Sequence, residues 1–546
     1  MQRPVHPFIR RLGSKAGALT LLALGLAIGP VHAAPPSPLP EPVLLRQVSL
    51  AAFGNPVDYY RASAQFGDLN NDGVFTDFLQ YSNSRHLRAV AYNGGETATL
   101  LWEHAFPGNL PPPPNRYFYK YTIWDVDNDG ASEVIGPFAT EAGMIELRVL
   151  DGATGTIERR IATDIPNPVS SDAVAEWHIY VTVANMRGLA QAQDIILLKG
   201  RDSEGDIYVY DDQLTLLWDT TGDNAMKKHI YAHYPWAGDI DGDGKDELIG
   251  NWVFDDDGTK LWRATPEKWI PQDYSYDHVD RAFIGDFAPE RPGVEVLLCH
   301  EYLFGRLYAS DGTVIWSQGS RDNTSDQADA KITAVGDFTT DLPGVEIVYK
   351  DPKLDQATPP QKAIFDRNGN TVRTIDPFKD GFPIDWDGDR TQDEVFTSEG
   401  AIIYAPWANT SIDVGQRYEA DRATRMQSGM RIYAYAHDVL GDYREEIVVI
   451  DEDEMLIYGA SGAAPAAHPS PWDDPVYRFA IINSAYDNHP ERPWFDWRSV
   501  LQSPDPTPTP TSAPTSTATP APIPTPTSTP APAPAQQRTF IPMLTR

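Results

Sequence analysis

The stretch Asp239-Ile240-Asp241-Gly242-Asp243-Gly244-Lys245-Asp246-Glu247-Leu248-Ile249 decides the fold. Acids alternate with small or apolar residues and then run into an apolar segment. Gly244 permits the positive φ that a tight ion-wrapping loop needs. With the Lys245 carbonyl, the carboxylates of Asp239, Asp241, Asp243 and Glu247 make a hard oxygen set of the kind Ca²⁺ takes. The last acid comes at position nine, earlier than the closing acid of an EF-hand.

The pattern recurs. Related segments begin at Asp68, Asp125, near Ala184, and at Asp239, Asp286, Asp337, Asp385 and Asp438, spaced 47 to 59 residues apart. Each has a lead-in strand before the loop, an apolar strand after it (Glu295-Val296-Leu297-Leu298), and then a hairpin with an Asp-Gly or Asn-Gly turn, as in Val253–Trp262 and Leu307–Trp316. Such turns between β-rich runs are strong hairpin signals. Four strands per repeat with this period predict an all-β chain, an eight-bladed β-propeller with Ca-binding DxDxDG loops. Seven blades remain open, because the third loop is degenerate. The loops read as the FG-GAP/VCBS type found in integrin-like repeats.

The copies differ. Full ligand sets stand at Asp125/Asp127/Asp129/Glu133, at Asp239/Asp241/Asp243/Glu247 and at Asp385/Asp387/Asp389/Asp393. The first loop keeps Asp68, Asn70 and Asp72, with Asp77 one place late. Those at Asp286 and Asp337 replace the middle acids with Pro292-Gly293 and Pro343-Gly344, and Leu440 stands where a ligand belongs in the last. Three structural Ca²⁺ sites are therefore expected. The competing reading is that these acids only cap turns through side-chain to backbone hydrogen bonds.

Composition bounds the rest. The chain of 546 residues carries a formal charge of −33, and is more negative still once the four cations of residues 1–33 are set aside. That argues against nucleic acid as a partner. Residues 1–33 read as a signal peptide: basic residues, an apolar run from Ala16 to Ile28, and Val31-His32-Ala33-Ala34. The protein is thus expected to be secreted or at the cell surface, with no stable membrane span, and monomeric. Cys299 is the sole cysteine, so no internal disulfide forms. The propeller is assigned to 42–498, with Val476–Trp497 as the strand that closes the ring. Residues 499–537 form a Pro/Thr-rich disordered linker, and 538–546 a short tail.

The residues just before each loop are rich in His, Tyr, Lys and Arg. Arg116–Tyr121, Trp177–Tyr180, Lys227–Tyr234, Tyr276–Arg281, Asp329–Lys331 and Arg431–Tyr435 all show it. In a propeller they converge on one face around the axis. Cations and aromatics converging there in an acidic protein suit an anionic sugar, since aromatic faces stack on sugar rings and Arg or Lys pairs with carboxylates. A solvated channel lined by polar residues is the plainer alternative.

Several stretches together resemble the rhamnogalacturonan lyases of polysaccharide lyase family 11. They are Asp277-His278-Val279-Asp280, Gly285-Asp286-Phe287-Ala288-Pro289-Glu290-Arg291-Pro292-Gly293-Val294-Glu295-Val296, Cys299-His300-Glu301, Asp385-Trp386-Asp387-Gly388-Asp389, Asp438–Glu446 and Tyr477–Pro490. The resemblance implies an eight-bladed propeller that cleaves a rhamnose- and uronate-containing polysaccharide by β-elimination, with Ca²⁺ as cofactor. By position it makes His278, Asp280, His300 and Glu301 cleft ligands or substrate contacts, with His278 also a catalytic candidate, and Lys331 the base or the carboxylate partner. His233, as a second proton carrier, and Arg281 and Tyr234, as substrate contacts, are added on chemical grounds. The chain departs from the family at Val279, where glycine is usual, and at Lys331, where arginine is. Glu41–Gln65 is short and unlike the family's β-rich leading segment. A propeller that binds glycans without cleaving them, for adhesion, and a hydrolase using paired carboxylates are the alternatives.

Overall fold

A computed structural model describes residues 39–54, 63–81, 86–106, 120–166, 178–201, 204–221, 234–264, 279–287, 293–300, 305–318, 332–339, 345–349, 359–377, 381–388, 394–397, 401–416, 434–442, 444–450 and 454–462, and the shorter pieces 291, 342, 471–473, 477–479 and 481. Among them, eight four-stranded antiparallel sheets form, each from sequence-consecutive strands save the last. The eight-bladed expectation holds. The degenerate third copy makes a full blade from His178–Ala184, Asp194–Arg201, Glu204–Tyr210 and Leu216–Asp219.

Burial grades outward across each blade. The second strands are enclosed on both faces and so read as unbroken apolar runs: Glu295–His300 and Glu133–Ala139 are buried throughout. Third strands range from alternating, as in Met144–Asp151, to buried throughout, as in Lys362–Phe365, and fourth strands such as Ile157–Pro166 are mostly exposed. The first strands lie innermost, Ser63–Gly67 beside Thr122–Trp124 and Ile332–Gly336 beside Phe382–Ile384.

A repeated lock joins neighbouring blades. A tryptophan on the outer strand donates its indole N–H to a carbonyl in the next blade's hairpin turn. The pairs are Trp102 to Gly152 (2.7 Å), Trp218 to Asp256 (2.7 Å), Trp262 to Ser310 (2.8 Å) and Trp316 to Arg367 (2.9 Å). The same ring lies on that turn's glycine. Gly312 has φ +80°, and a Cβ there would stand 2.6 Å from the Trp262 ring. The turn needs glycine twice over, for its left-handed backbone and for the room the indole takes.

Closure differs from expectation. Pro42–Ser49 supplies the outer strand of blade eight, pairing antiparallel with Glu454–Ala460 from Pro42↔Ala460 to Ser49↔Glu454. The described residues of Val476–Trp497 are helical instead. They pack on blades eight, one and two: Tyr477 Oη donates to Glu445 (2.7 Å), Phe479 meets Trp124 edge-on, and the Ile481 carbonyl accepts from Gln65 on the innermost strand of blade one (3.4 Å). Their aromatic content serves packing, not strand pairing. No helix among the described residues is long and apolar enough to cross a membrane.

Candidate metal loops and active-site face

Among the described residues, three loops gather carboxylates. In each of the sets Asp125/Asp127/Glu133, Asp239/Asp241/Glu247 and Asp385/Asp387/Glu394, one oxygen per residue lies within 4.8 Å of the others. The blade-seven acid is Glu394, not Asp393. That loop is one residue longer, so the acid that opens the next strand (Glu394–Thr397) falls one place later than the spacing suggests. Asp389 and Asp393 lie outside the described residues.

The loops are held by their own acids. In blade four, Asp239 accepts the N–H groups of Gly242 (2.7 Å) and Gly244 (3.1 Å), and Glu247 Oε2 accepts that of Ile240 (2.7 Å). Blade two repeats this, with Asp125 accepting from Asp129 and Gly130 and Glu133 accepting from Val126. Asp129 and Asp243 stand outside the gathered sets and cap Ala131 and Lys245 instead. Capping therefore occurs, but it does not use every oxygen. Glu247 Oε1 and Asp127 Oδ1 are buried with no hydrogen-bond partner. Burial pushes Glu133 and Glu247 up to about 8, and also raises Asp125 and Asp239. A hard divalent cation fits such a set, since it would supply partners to lone pairs that the backbone leaves over.

The other loops meet the same problem differently. Asp77 of blade one spends both oxygens on backbone, accepting from Leu69, Asn70 and Tyr92. Glu346 of blade six accepts from Phe338 (2.8 Å), keeps a buried oxygen without a partner, and is pushed up to about 8 by burial. Asp194 of blade three pairs with Arg187.

Sequence reasoning missed the residue before the strand acid. Asp246 is buried and reaches into blade three, accepting the Asn185 N–H at 2.7 Å while its own N–H donates to the Asn185 carbonyl. Glu445 does the same to Asp385 of blade seven. The paired acids Asp246-Glu247 and Glu445-Glu446 are the visible signal: one serves its own loop, the other the neighbour's.

The face where the innermost strands begin is described in part. His233, His278, Glu301 and Lys331 lie outside the described residues, and Asp280 is placed only as a position on the strand Val279–Gly285. Arg281 is buried and donates to the Ile332 carbonyl (3.3 Å), where blade six's innermost strand starts. His300 is buried opposite Val279, with Arg281 opposite Cys299. Tyr234 is buried, its hydroxyl 2.7 Å from the amine of Lys120, which also sits 4.1 Å from the ring centroid. Burial holds Lys120 well below the ordinary lysine value, and its N–H donates to the Ile179 carbonyl. Lys120 thus ties blades two, three and four, and its only signal in the sequence is its place in the cation-rich Arg116–Tyr121 stretch. This face and the aspartate loops occupy opposite ends of the innermost strands. In blade four the innermost strand spans Trp236–Gly238, so Trp236 and Asp239 stand roughly 10 Å apart at ~3.3 Å per residue.

Residues 194–506, more than half of the chain, match rhamnogalacturonan lyase family 11, C-terminal domain. The chain belongs to this family. Family 11 membership makes it a polysaccharide lyase. The rhamnogalacturonan endolyase YesW of Bacillus subtilis (strain 168) is 23% identical over 511 residues, covering 83% of this chain and 76% of YesW. The exolyase YesX of the same organism is 23% identical over 506 residues, covering 81% and 78%. Among solved structures, the Bacillus licheniformis rhamnogalacturonan lyase PL11 superposes with a TM-score of 0.59 at 20% identity, covering 79% of this chain and 77% of its own. Crystalline YesW gives 0.58 at 20%, covering 85% and 82%. These family 11 neighbours share the fold.

Proposed function

We propose that the chain cleaves a rhamnogalacturonan-like polysaccharide by Ca²⁺-assisted β-elimination, on the face where the innermost strands begin. The observation that carries this is the family 11 match over residues 194–506. In the elimination, the C5 proton of the uronate passes to a base. The C5 electron pair forms the C4=C5 double bond, the C4–O bond breaks, and the departing glycosidic oxygen takes a proton. His278, Lys331 and His233 are the proton carriers proposed for this, on sequence grounds. Asp280, Arg281, His300, Glu301 and Tyr234 are proposed to shape the site around the sugar. A Ca²⁺ bound there would neutralise the uronate carboxylate and so acidify C5–H.

The aspartate loops, of FG-GAP/VCBS type, hold structural Ca²⁺ in this proposal; the orphaned oxygens of Glu247 and Asp127 support that reading. Residues 1–33 direct secretion, and the protein acts outside the cell or on its surface as a monomer. The test is incubation with rhamnogalacturonan, with and without Ca²⁺, following the ultraviolet absorbance of the unsaturated uronate. Absorbance that grows in Ca²⁺ is expected. New reducing ends without absorbance, or binding without either signal, would refute the proposal.

A further inference from the structure

In blade three a guanidinium stands where blades two, four and seven gather their middle acid, and Asn185 stands where they have Asp125, Asp239 and Asp385. The correspondence rests on hydrogen bonds as well as spacing. The acid opening the second strand accepts an N–H from the second loop residue: Glu133 from Val126, Glu247 from Ile240, Glu394 from Trp386, and Asp194 from Met186. The residue after that donor is Asp127, Asp241 or Asp387 in the three acidic loops, and Arg187 in blade three. Its side chain turns onto the strand acid. Arg187 Nε is 2.6 Å from Asp194 Oδ1, its backbone N–H donates to Asp194 Oδ2 at 3.0 Å, and its terminal nitrogen is 2.8 Å from Asp212 in the hairpin of the same blade. Asp194 is fully enclosed, whereas the arginine side chain is 32% exposed.

We infer that Arg187 is a built-in cation that makes the blade-three loop independent of metal, doing for Asp194 and Asp212 what a bound divalent ion does for the acid sets of blades two, four and seven. The inference rests on the proposal that those three sets hold Ca²⁺. An enclosed carboxylate left alone is costly, and either a paired guanidinium or a metal ion relieves it. A guanidinium adds directed N–H donors and a charge that never deprotonates at neutral pH. It cannot be removed by chelation. The loop thus keeps its shape with no acid at the position of Asp127 and Asp241.

The experiment uses the full chain and Ca²⁺ alone as the probe. Bound Ca²⁺ per chain and melting temperature, with Ca²⁺ and with chelator, are compared for the parent and for Arg187→Asp, Arg187→Ala and Arg187→Lys. Arg187→Asp should bind one Ca²⁺ more than the parent and gain a few degrees more from Ca²⁺. Arg187→Ala should melt below the parent in chelator and regain part of that loss in Ca²⁺, which keeps the test decisive if the aspartate variant fails to fold. Arg187→Lys, which keeps the charge, should match the parent's Ca²⁺ count. If the parent binds Ca²⁺ but the Asp variant binds no more, and the Ala loss is the same in both buffers, this inference alone falls. A parent that binds no Ca²⁺ and melts equally in both buffers overturns the reading of the three acidic loops, and this inference with it.

Discussion

In blade four, Asp239, Asp241 and Glu247 converge; in blade six, Glu346 opens the same strand, but Thr339 stands where blade four has Asp241. Both strand acids are buried, both accept the N–H of the second loop residue, and both keep one buried oxygen without a partner. The constant feature is therefore the cap on the backbone, and the gathered acids are an addition laid over it. An orphan oxygen by itself does not make a metal loop. With Glu346 the simplest neutralisation is a proton, consistent with burial pushing that carboxyl up to about 8.

The largest effect should come from removing metal. At Ca²⁺ about 100-fold above Kd, each site adds ~2.7 kcal/mol, so chelation should lower the melting temperature of the parent by many degrees. Asp239→Ala should lose one site's share in Ca²⁺, and in both buffers also about 1–3 kcal/mol for the Gly242 and Gly244 N–H groups it leaves without an acceptor. Equal melting of parent and variant in both buffers would erase the contrast between the two blades. Next is Gly312→Ala, which sets a Cβ against Trp262 on a left-handed backbone. A loss of about 1–3 kcal/mol is expected, the same with and without Ca²⁺, because that lock is independent of the loops. Asp246→Ala follows. It leaves the buried Asn185 N–H without its acceptor, at a cost of about 1–3 kcal/mol, while Asp246→Asn, which keeps an acceptor oxygen, should recover most of it.

The smallest effect sharpens the comparison from the blade-six side. Glu346 titrates near 8 folded against an ordinary 4.5, so the native protein holds a proton there that the unfolded chain gives up. Its stabilising contribution is complete below about 4.5 and is lost as pH rises through about 8. In chelator, Glu346→Gln should make the fall in melting temperature between pH 6 and pH 9 shallower. An unchanged slope would mean the proton is not held there.

Repetition made the blades legible. Eight copies of one loop, each followed by an apolar run and a glycine turn, sufficed for the architecture, and even the degenerate copy near Ala184 folded as its register required. What repetition could not convey was which copies carry the longer loop, or any contact made only once. The Asp385 loop is of the longer kind, like those at Asp68, Asp286 and Asp337, so its strand acid is Glu394 and not Asp393. Val476–Trp497 resembled a strand because Tyr, Phe and Trp favour strands, yet Phe479 packs on Trp124 and Tyr477 bonds Glu445. Contacts between blades, such as Asp246 to Asn185 and Lys120 to Tyr234, join positions whose separation carries no local pattern. On the face proposed for chemistry, Arg281, His300 and Tyr234 were visible as residue types, but their burial depends on neighbouring blades.

The pairing of Pro42–Ser49 with Glu454–Ala460 also sets a timetable. The strand that emerges early from the ribosome has no hydrogen-bonding partner until more than 400 residues later, when the last hairpin is made. Blades one to seven can each close on local contacts as they appear, whereas the ring is sealed by the longest-range strand pairing among the described residues, the kind that forms slowest. Through that interval Pro42–Ser49 is an unpaired edge able to join a second copy of the chain. Moving this strand to follow Ala460 should speed the final folding phase, because its pairing with Glu454–Ala460 would then be a local hairpin.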